Sequence, residues 1–188
     1  MIHYLFKTAH FFPTHAYETV DQIDFAALRL SGVKLLLIDL DNTLADYETL
    51  VPPRTQIDFF KALSAQGFQI IIVSNNGENR VRDYCDALDL PYIARAKKPF
   101  STGFRKALNL IDAPVKVEEV CMIGDQLLTD VLGASRLAMK SVLVEPLRKK
   151  TERWYTRLNR NMERSVLKRM KRHDSKRFEA LGLSRRLP

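Results

Sequence analysis

Apolar runs and amphipathic segments alternate along most of the chain, and this alternation predicts its fold. Strands are predicted from apolar runs at 34–40, 68–76, 91–96, 118–126 and 140–147. Helices are predicted from apolar residues at helical spacing at 55–67, 79–90, 101–111 and 129–138. Ser101 is placed to act as the N-cap of the third helix. Strands that alternate with helices indicate an α/β fold, a Rossmann-like three-layer sandwich with a mostly parallel central sheet.

Polar side chains follow three of the predicted strands at the point where each strand ends. Asp39 and Asp41 lie at the C-terminal end of the first strand, Ser74 lies at the end of the second, and Asp125 lies just past "CMIG" in the run at 118–126. The ligand of an open parallel sheet binds beyond the carboxyl ends of its strands, so we expect these side chains to meet there. Carboxylates that cluster in a partly buried site repel one another, and a bound divalent cation relieves the repulsion. Carboxylate and carbonyl oxygens together with water suit Mg²⁺.

The positive charge of the chain is concentrated at its C-terminal end. The segment 148–188 holds 15 lysines and arginines against 4 acidic residues, a net charge of +11, whereas residues 1–147 carry a net charge of −3. We therefore predict a domain over 1–147, with its core at 30–147, and a basic, helical C-terminal extension over 148–188. The predicted helix at 151–172 has an apolar stripe. That stripe would pack on the domain or on a partner subunit, or it would lie on an anionic membrane.

Several features bear on where the protein works. No apolar run reaches the roughly 20 residues of a membrane-spanning helix, and the N-terminus lacks the pattern of a signal peptide. Cys85 and Cys121 are expected to be free thiols in the core, which favours a reducing compartment. We expect a cytoplasmic protein, with peripheral contact at the inner face of the membrane if the basic extension binds lipid.

Four motifs occur in a fixed order along the predicted domain. They are "DLDNTL" at 39–44, Ser74 after the second long strand, Lys98 before Pro99, and "GDQLLTD" at 124–130 with Asp125 and Asp130. Together they resemble the haloacid-dehalogenase-like (HAD) phosphatases. The residues of the first and fourth motifs are similar to those of the YqeG-like members of subclass IIIA. That group in turn resembles the phosphatidylglycerophosphate phosphatases. Residues 45–73 and 76–97 are too few to hold an inserted cap, so the resemblance is to capless enzymes.

The resemblance implies a role for each motif residue. Asp39 would be the nucleophile, which forms an aspartyl-phosphate, and Asp41 would be the general acid and base. Mg²⁺ would be bound by Asp39, by the backbone carbonyl of Asp41, by Asp125 and, directly or through a neighbour, by Asp130. Phosphate would be bound by Thr43, Ser74, Asn75 and Lys98, and Asn42 and Asn75 are also expected to form turns.

The function implied by the resemblance is a Mg²⁺-dependent phosphomonoester hydrolase. Its implied substrate is a phospholipid headgroup, with phosphatidylglycerophosphate converted to phosphatidylglycerol and phosphate. One alternative is a phosphatase for soluble phosphate esters. Another is a nucleic-acid-binding protein that uses the basic extension and keeps only a vestigial HAD fold.

Overall fold

The computed structural model describes residues 6–111, 113–147 and 154–187, with side chains in the last range from residue 162 onward. Six strands form one sheet in the order β1-β6-β5-β2-β3-β4. The strands are β1 (His15–Tyr17), β2 (Leu35–Ile38), β3 (Gln69–Val73), β4 (Tyr92–Ile93), β5 (Val120–Gly124) and β6 (Lys140–Val144). All of their pairings are parallel, which confirms the predicted α/β class.

Seven α-helices accompany the sheet in the described ranges. They are α1 (Phe25–Leu30), α2 (Arg54–Ala65), α3 (Glu78–Leu88), α4 (Ser101–Leu108), α5 (Leu132–Arg136), α6 (Trp154–His173) and α7 (Ser175–Ala180). The prediction that Ser101 caps α4 is wrong, because Phe100 occupies the cap position, no side chain bonds there, and Ser101 is the first helical residue. Residues 129–131 of the helix predicted at 129–138 instead belong to a π-helical turn, Leu127–Val131, and the α-helix covers only Leu132–Arg136.

Helices cover both faces of the sheet. Leu36 and Ile38 of β2 point to the side that holds α1, α2 and α3, where Phe60 and Tyr84 are buried. Leu35 and Leu37 point to the opposite side. Strand β2 therefore has no solvent-facing side, which explains why its apolar run is continuous rather than alternating. The result is the three-layer arrangement that the sequence predicts.

The two ends of the described chain pack together beside β6. Phe11 and Phe12 share an apolar cluster with Val166, Leu167 and Met170 of α6. The apolar stripe of α6 thus packs on the domain wherever its side chains are described; those of Trp154, Tyr155 and Leu158, which belong to the predicted stripe, lie outside the described residues. Strand β1 was not predicted, since three residues are too few to show a period.

The predictions about membrane spans and cysteines can be compared with the described structure. Each helix in the described ranges is too short or too polar to span a bilayer. Cys85 and Cys121 are buried free thiols, as expected from the sequence.

Candidate active site

Three buried carboxylates meet beyond the carboxyl ends of β2 and β5. Asp39 directly follows the end of β2, and its backbone N–H donates to the carbonyl of Ile123 at 2.9 Å, which ties it to the neighbouring strand. Asp125 directly follows β5. Carboxylate oxygens of Asp39, Asp125 and Asp130 all lie within 4.8 Å of one another. Asp39 and Asp125 therefore meet at this edge of the sheet as predicted, and Asp130 joins them, whereas the carboxylate of Asp41 is not part of this group.

Lys98 supplies the positive charge of this cluster. Its Nζ lies 2.7 Å from Oδ1 of Asp39 and 2.7 Å from Oδ1 of Asp130, and its side chain is 2% exposed. Asn75 fixes the lysine backbone from both sides: its Oδ1 accepts from the Lys98 N–H at 2.7 Å, and its Nδ2 donates to the Lys98 carbonyl at 3.1 Å. The neighbouring Lys97 is exposed. The structure thus places Lys98, and not Lys97, beside the predicted nucleophile.

The charges of the cluster do not balance. Burial raises the pKa of Asp39 well above its ordinary value, and Asp130 and Asp125 raise it further against the opposing effect of Lys98. Burial alone would lower the pKa of Lys98, but Asp130 and Asp39 outweigh it and raise that pKa, so the lysine stays charged. Three carboxylates against one ammonium leave an excess of negative charge. The donor set, all hard oxygens, fits a divalent cation such as Mg²⁺.

Local backbone structure brings Asp130 into the cluster. Its Oδ2 accepts from the N–H of Gln126 at 3.1 Å, so the side chain folds back across the π-helical turn towards β5. Gly124 leaves room for it, because a Cβ at that position would lie 2.7 Å from the Cβ of Asp130. The segment 124–130 therefore needs both a glycine at its start and the wide turn in its middle.

Asp41 follows Asp39 by two residues, and its carboxylate is bonded by side chains of the segment 74–80, which runs from the end of β3 into α3. Its Oδ2 accepts from Ser74 Oγ at 3.3 Å and from Asn76 Nδ2 at 3.1 Å. Its Oδ1 accepts from Nε of Arg80 at 3.4 Å. The side chain of Asp41 is thus oriented by three neighbours. Metal binding through its backbone carbonyl stays a prediction.

The other predicted site residues lie in the same region. Asn42 adopts the left-handed conformation, with φ of 65°, which confirms that it forms a turn. Thr43 is buried, and among the described residues its hydroxyl has no hydrogen-bond partner, which leaves it available to a ligand. Ser74 bonds Asp41, and Asn75 braces Lys98. Phosphate binding by Thr43, Ser74, Asn75 and Lys98 stays a prediction.

Sequence reasoning missed four side chains that hold the site in place. Asn76 and Arg80 contact Asp41, while Glu163 and Arg186 contact the backbone of the Asp125 region. Arg80 had a detectable signal, since the first turn of a helix that follows a strand lies at the carboxyl edge of the sheet. Glu163 and Arg186 had no such signal, because no local sequence pattern indicates which loop a distant helix will contact.

Comparisons with known proteins agree with this geometry. Residues 95–153 match the family model described as HAD-hydrolase-like. The chain is 35% identical over 162 residues to the protein named "Probable phosphatase YqeG" from Bacillus subtilis, covering 86% of this chain and 92% of that one.

Two plant-type relatives are more distant. The chain is 29% identical over 144 residues to "Phosphatidylglycerophosphate phosphatase 1, chloroplastic" from Chlamydomonas reinhardtii, covering 72% of this chain and 53% of that one. It is 28% identical over 157 residues to "Phosphatidylglycerophosphate phosphatase 1, chloroplastic/mitochondrial" from Arabidopsis thaliana, covering 78% of this chain and 44% of that one. The chain spans about half the length of these two relatives.

Proposed function

This chain belongs to the YqeG-like HAD phosphatases, and we propose that it is a Mg²⁺-dependent phosphomonoester hydrolase whose substrate is phosphatidylglycerophosphate. The observation that carries the proposal is the buried cluster of Asp39, Asp125 and Asp130 around Lys98. Asp39, Asp125 and Asp130 would hold the cation. When bound, Mg²⁺ supplies positive charge that screens the phosphoryl oxygens from the attacking carboxylate.

In the first step, a carboxylate oxygen of Asp39 forms a bond to phosphorus as the bond from phosphorus to the leaving oxygen breaks. Asp41 is the general acid of this step and donates a proton to that leaving oxygen. Lys98 faces Asp39 at 2.7 Å and offsets negative charge on the phosphoryl group. The products are an aspartyl-phosphate and the free alcohol.

In the second step, a water molecule attacks the aspartyl-phosphate. Its oxygen bonds to phosphorus, its proton passes to the carboxylate of Asp41, and the bond between phosphorus and Asp39 breaks. Inorganic phosphate leaves, and Asp41 is protonated again for the next cycle. Ser74, Asn76 and Arg80 hold the Asp41 carboxylate in one orientation for both transfers.

Two observations support a lipid substrate. The first is that two relatives of the chain are named phosphatidylglycerophosphate phosphatase 1. The second is the apolar surface beside the site: Leu50 and Val51 are 67% and 66% exposed, and the preceding Thr49 is tied to the site by Arg80. Phe100, two residues after Lys98, is 62% exposed. A lipid next to the scissile phosphate would cover these side chains.

Phosphate release with Mg²⁺ from phosphatidylglycerophosphate in mixed micelles, compared with a soluble aryl phosphate, tests the proposal. We expect preference for the lipid, and a loss of roughly 10⁴-fold or more in Asp39→Asn, since the nucleophile is removed. Asp58→Asn, an exposed aspartate on α2, is the matched control and should keep full activity.

Each other outcome has its own meaning. Hydrolysis of the aryl phosphate alone would keep the mechanism and reject the lipid. Release from neither substrate by folded, metal-loaded protein would reject the phosphatase. Salt-sensitive binding of RNA or DNA would then favour the nucleic-acid alternative.

We also propose that the C-terminal extension contacts anionic membranes through charge rather than by insertion of its apolar stripe. Val166, Leu167 and Met170 are buried in the domain, whereas Lys168 and Arg172 are exposed. Vesicles that contain anionic lipid should therefore bind the protein at low salt and release it at high salt.

Co-sedimentation with such vesicles tests this contact. The double variant Lys168→Glu/Arg172→Glu should bind more weakly than Lys61→Glu/Lys106→Glu, which makes the same change of charge on exposed positions of α2 and α4. Equal binding by the two variants would reject a contact through the extension.

A further inference from the structure

Helix α6 of the C-terminal extension contacts the segment 125–130, which carries Asp125 and Asp130, through a buried glutamate. Glu163 of α6 is 3% exposed, and its Oε1 accepts from the backbone N–H of Leu127 at 2.6 Å and of Leu128 at 3.4 Å. These N–H groups open the π-helical turn, where a helical segment has no internal acceptor for them. A carboxylate from a distant helix thus caps the turn that carries Asp130.

A buried arginine of the extension bonds the first residue of the same segment, 125–130. Nη1 of Arg186 donates to the backbone carbonyl of Asp125 at 3.1 Å. Arg186 also donates to the Val144 carbonyl and, from Nε, to Glu145 Oε1 at 2.9 Å. Its side chain is 7% exposed. The guanidinium therefore joins Asp125 to the end of β6.

Apolar packing makes these two contacts rigid. Leu127, Leu128 and Val131 of the turn lie in one buried cluster with apolar side chains of α6, α7 and the N-terminal segment. Side chains in such a core sit in rotamer minima and interdigitate, so the core transmits strain. The position of the 125–130 segment is consequently set by the extension as well as by β5.

We propose that Glu163 and Arg186 are positioning residues for the cation site, so that the C-terminal extension is part of the active site. The inference rests on the proposed function only in taking the ligand to be a divalent cation. Asp125 and Asp130 stand at the two ends of the segment. Removing the contacts that Glu163 and Arg186 make with this segment lets the two carboxylates move apart. The affinity for a cation that both carboxylates bind then falls.

Mn²⁺ binding to the full-length protein, measured by electron paramagnetic resonance without substrate, tests the inference. Replacing partners that orient metal ligands typically weakens affinity by about 10- to 100-fold, and we expect a loss in that range for Glu163→Ala and for Arg186→Ala. Glu163→Gln keeps an oxygen acceptor for the two N–H groups and should recover most of the affinity.

Two matched controls separate positioning from general stability. Glu179→Ala removes a carboxylate of α7 that bonds Lys171 and Ser184, and Arg185→Ala removes the arginine next to Arg186, which pairs with Glu18 and Glu145. Both should keep wild-type Mn²⁺ affinity. Measurement below the unfolding temperature of each metal-free variant ensures that only folded protein is compared.

The outcomes distinguish this inference from the proposed function. Wild-type Mn²⁺ affinity in folded Glu163→Ala or, if that variant does not fold, in Arg186→Ala overturns the inference and leaves the phosphatase untouched. Weakened binding in a protein without phosphatase activity keeps the inference and rejects the function. Failure of the wild type to bind Mn²⁺ overturns the cation site itself, and the inference with it.

Discussion

The ammonium group of Lys98 lies 2.7 Å from the carboxylate of Asp39, and both side chains are buried. The same nitrogen is also 2.7 Å from Oδ1 of Asp130, so one ammonium group pairs with two carboxylates. A buried charge that loses its partner is costly, because nothing else solvates it. Lys98 therefore has two roles in the folded protein: it stabilises the cluster, and it holds positive charge at the place where phosphate would bind.

Replacing this lysine should affect stability and activity together. Lys98→Met removes the ammonium that lies 2.7 Å from both Asp39 and Asp130, and we expect the metal-free protein to lose about 3–5 kcal/mol of unfolding free energy. Phosphatase activity should fall by roughly 10²- to 10³-fold. Urea unfolding of metal-free protein and phosphate release measure the two effects.

Lys97→Met is the control, since that side chain is exposed and adjacent in sequence. It should change the unfolding free energy by less than about 0.5 kcal/mol and leave activity intact. If the two variants behaved alike, the assignment of Lys98 to the site would be wrong.

The sequence predicted five of the six strands in the described ranges, and two members of the carboxylate cluster, because both depend on local patterns. A strand that is buried on both faces must be apolar throughout, and polar side chains that follow such strands meet at one edge of the sheet. Asp39 and Asp125 were therefore identifiable without coordinates. The N-cap predicted at Ser101 was wrong because the helix begins at Ser101 itself, whereas an N-cap residue lies just before the first helical residue.

The supports of the site were not predictable, because they depend on tertiary contacts between distant segments. Arg186 follows Asp125 by 61 residues, and no periodicity relates the two. Strand β1 is similarly defined by its pairing with β6, and not by its three residues alone.

A methyl group at Gly124 should displace Asp130. The added Cβ would lie 2.7 Å from the Cβ of Asp130, which is closer than two non-bonded carbon atoms approach each other. The Asp130 side chain must therefore move, and its carboxylate leaves the cluster. We expect Gly124→Ala to bind Mn²⁺ at least about tenfold more weakly and to lose activity in proportion. Gly77→Ala serves as the control, because its added Cβ has no atom within 4 Å other than those of the residue itself and its two chain neighbours. Wild-type Mn²⁺ affinity in Gly124→Ala would contradict the packing described for Asp130.

Arg80 should control the orientation of the general acid. Its guanidinium bonds Asp41 and the backbone carbonyls of Asp46 and Thr49, so its loss frees both the carboxylate and the loop that follows β2. We expect Arg80→Gln to lower kcat by about 10- to 100-fold, since general acid–base catalysis contributes that much or more. The exposed Arg82, which bonds Asp83, provides the control Arg82→Gln.

A substrate with a good leaving group distinguishes this role from loss of fold. Such a group needs little protonation, so Arg80→Gln should retain more of its activity on an aryl phosphate than on an alkyl phosphate. An equal loss on both substrates would argue that Arg80 acts on the structure of the loop and not on Asp41.

The two buried thiols should make the protein less stable at alkaline pH. Burial raises the pKa of Cys85 and of Cys121 to about 12, from an ordinary value of 9.0. Above pH 9 the unfolded thiols lose their protons while the folded ones keep them, so the unfolded state is favoured as pH rises. Each thiol should lower the unfolding free energy by about 1.4 kcal/mol between pH 8 and pH 10.

Urea unfolding of the wild type and of Cys85→Ala/Cys121→Ala at these two pH values measures the effect. The double variant should be less stable at pH 8, because it leaves small cavities, but its stability should decline less towards pH 10 by about 3 kcal/mol. All other groups that titrate are shared, so the difference between the two curves isolates the thiols. Parallel curves would mean that the thiols ionise equally in the folded and unfolded states, and the folded core around them would then have to admit water.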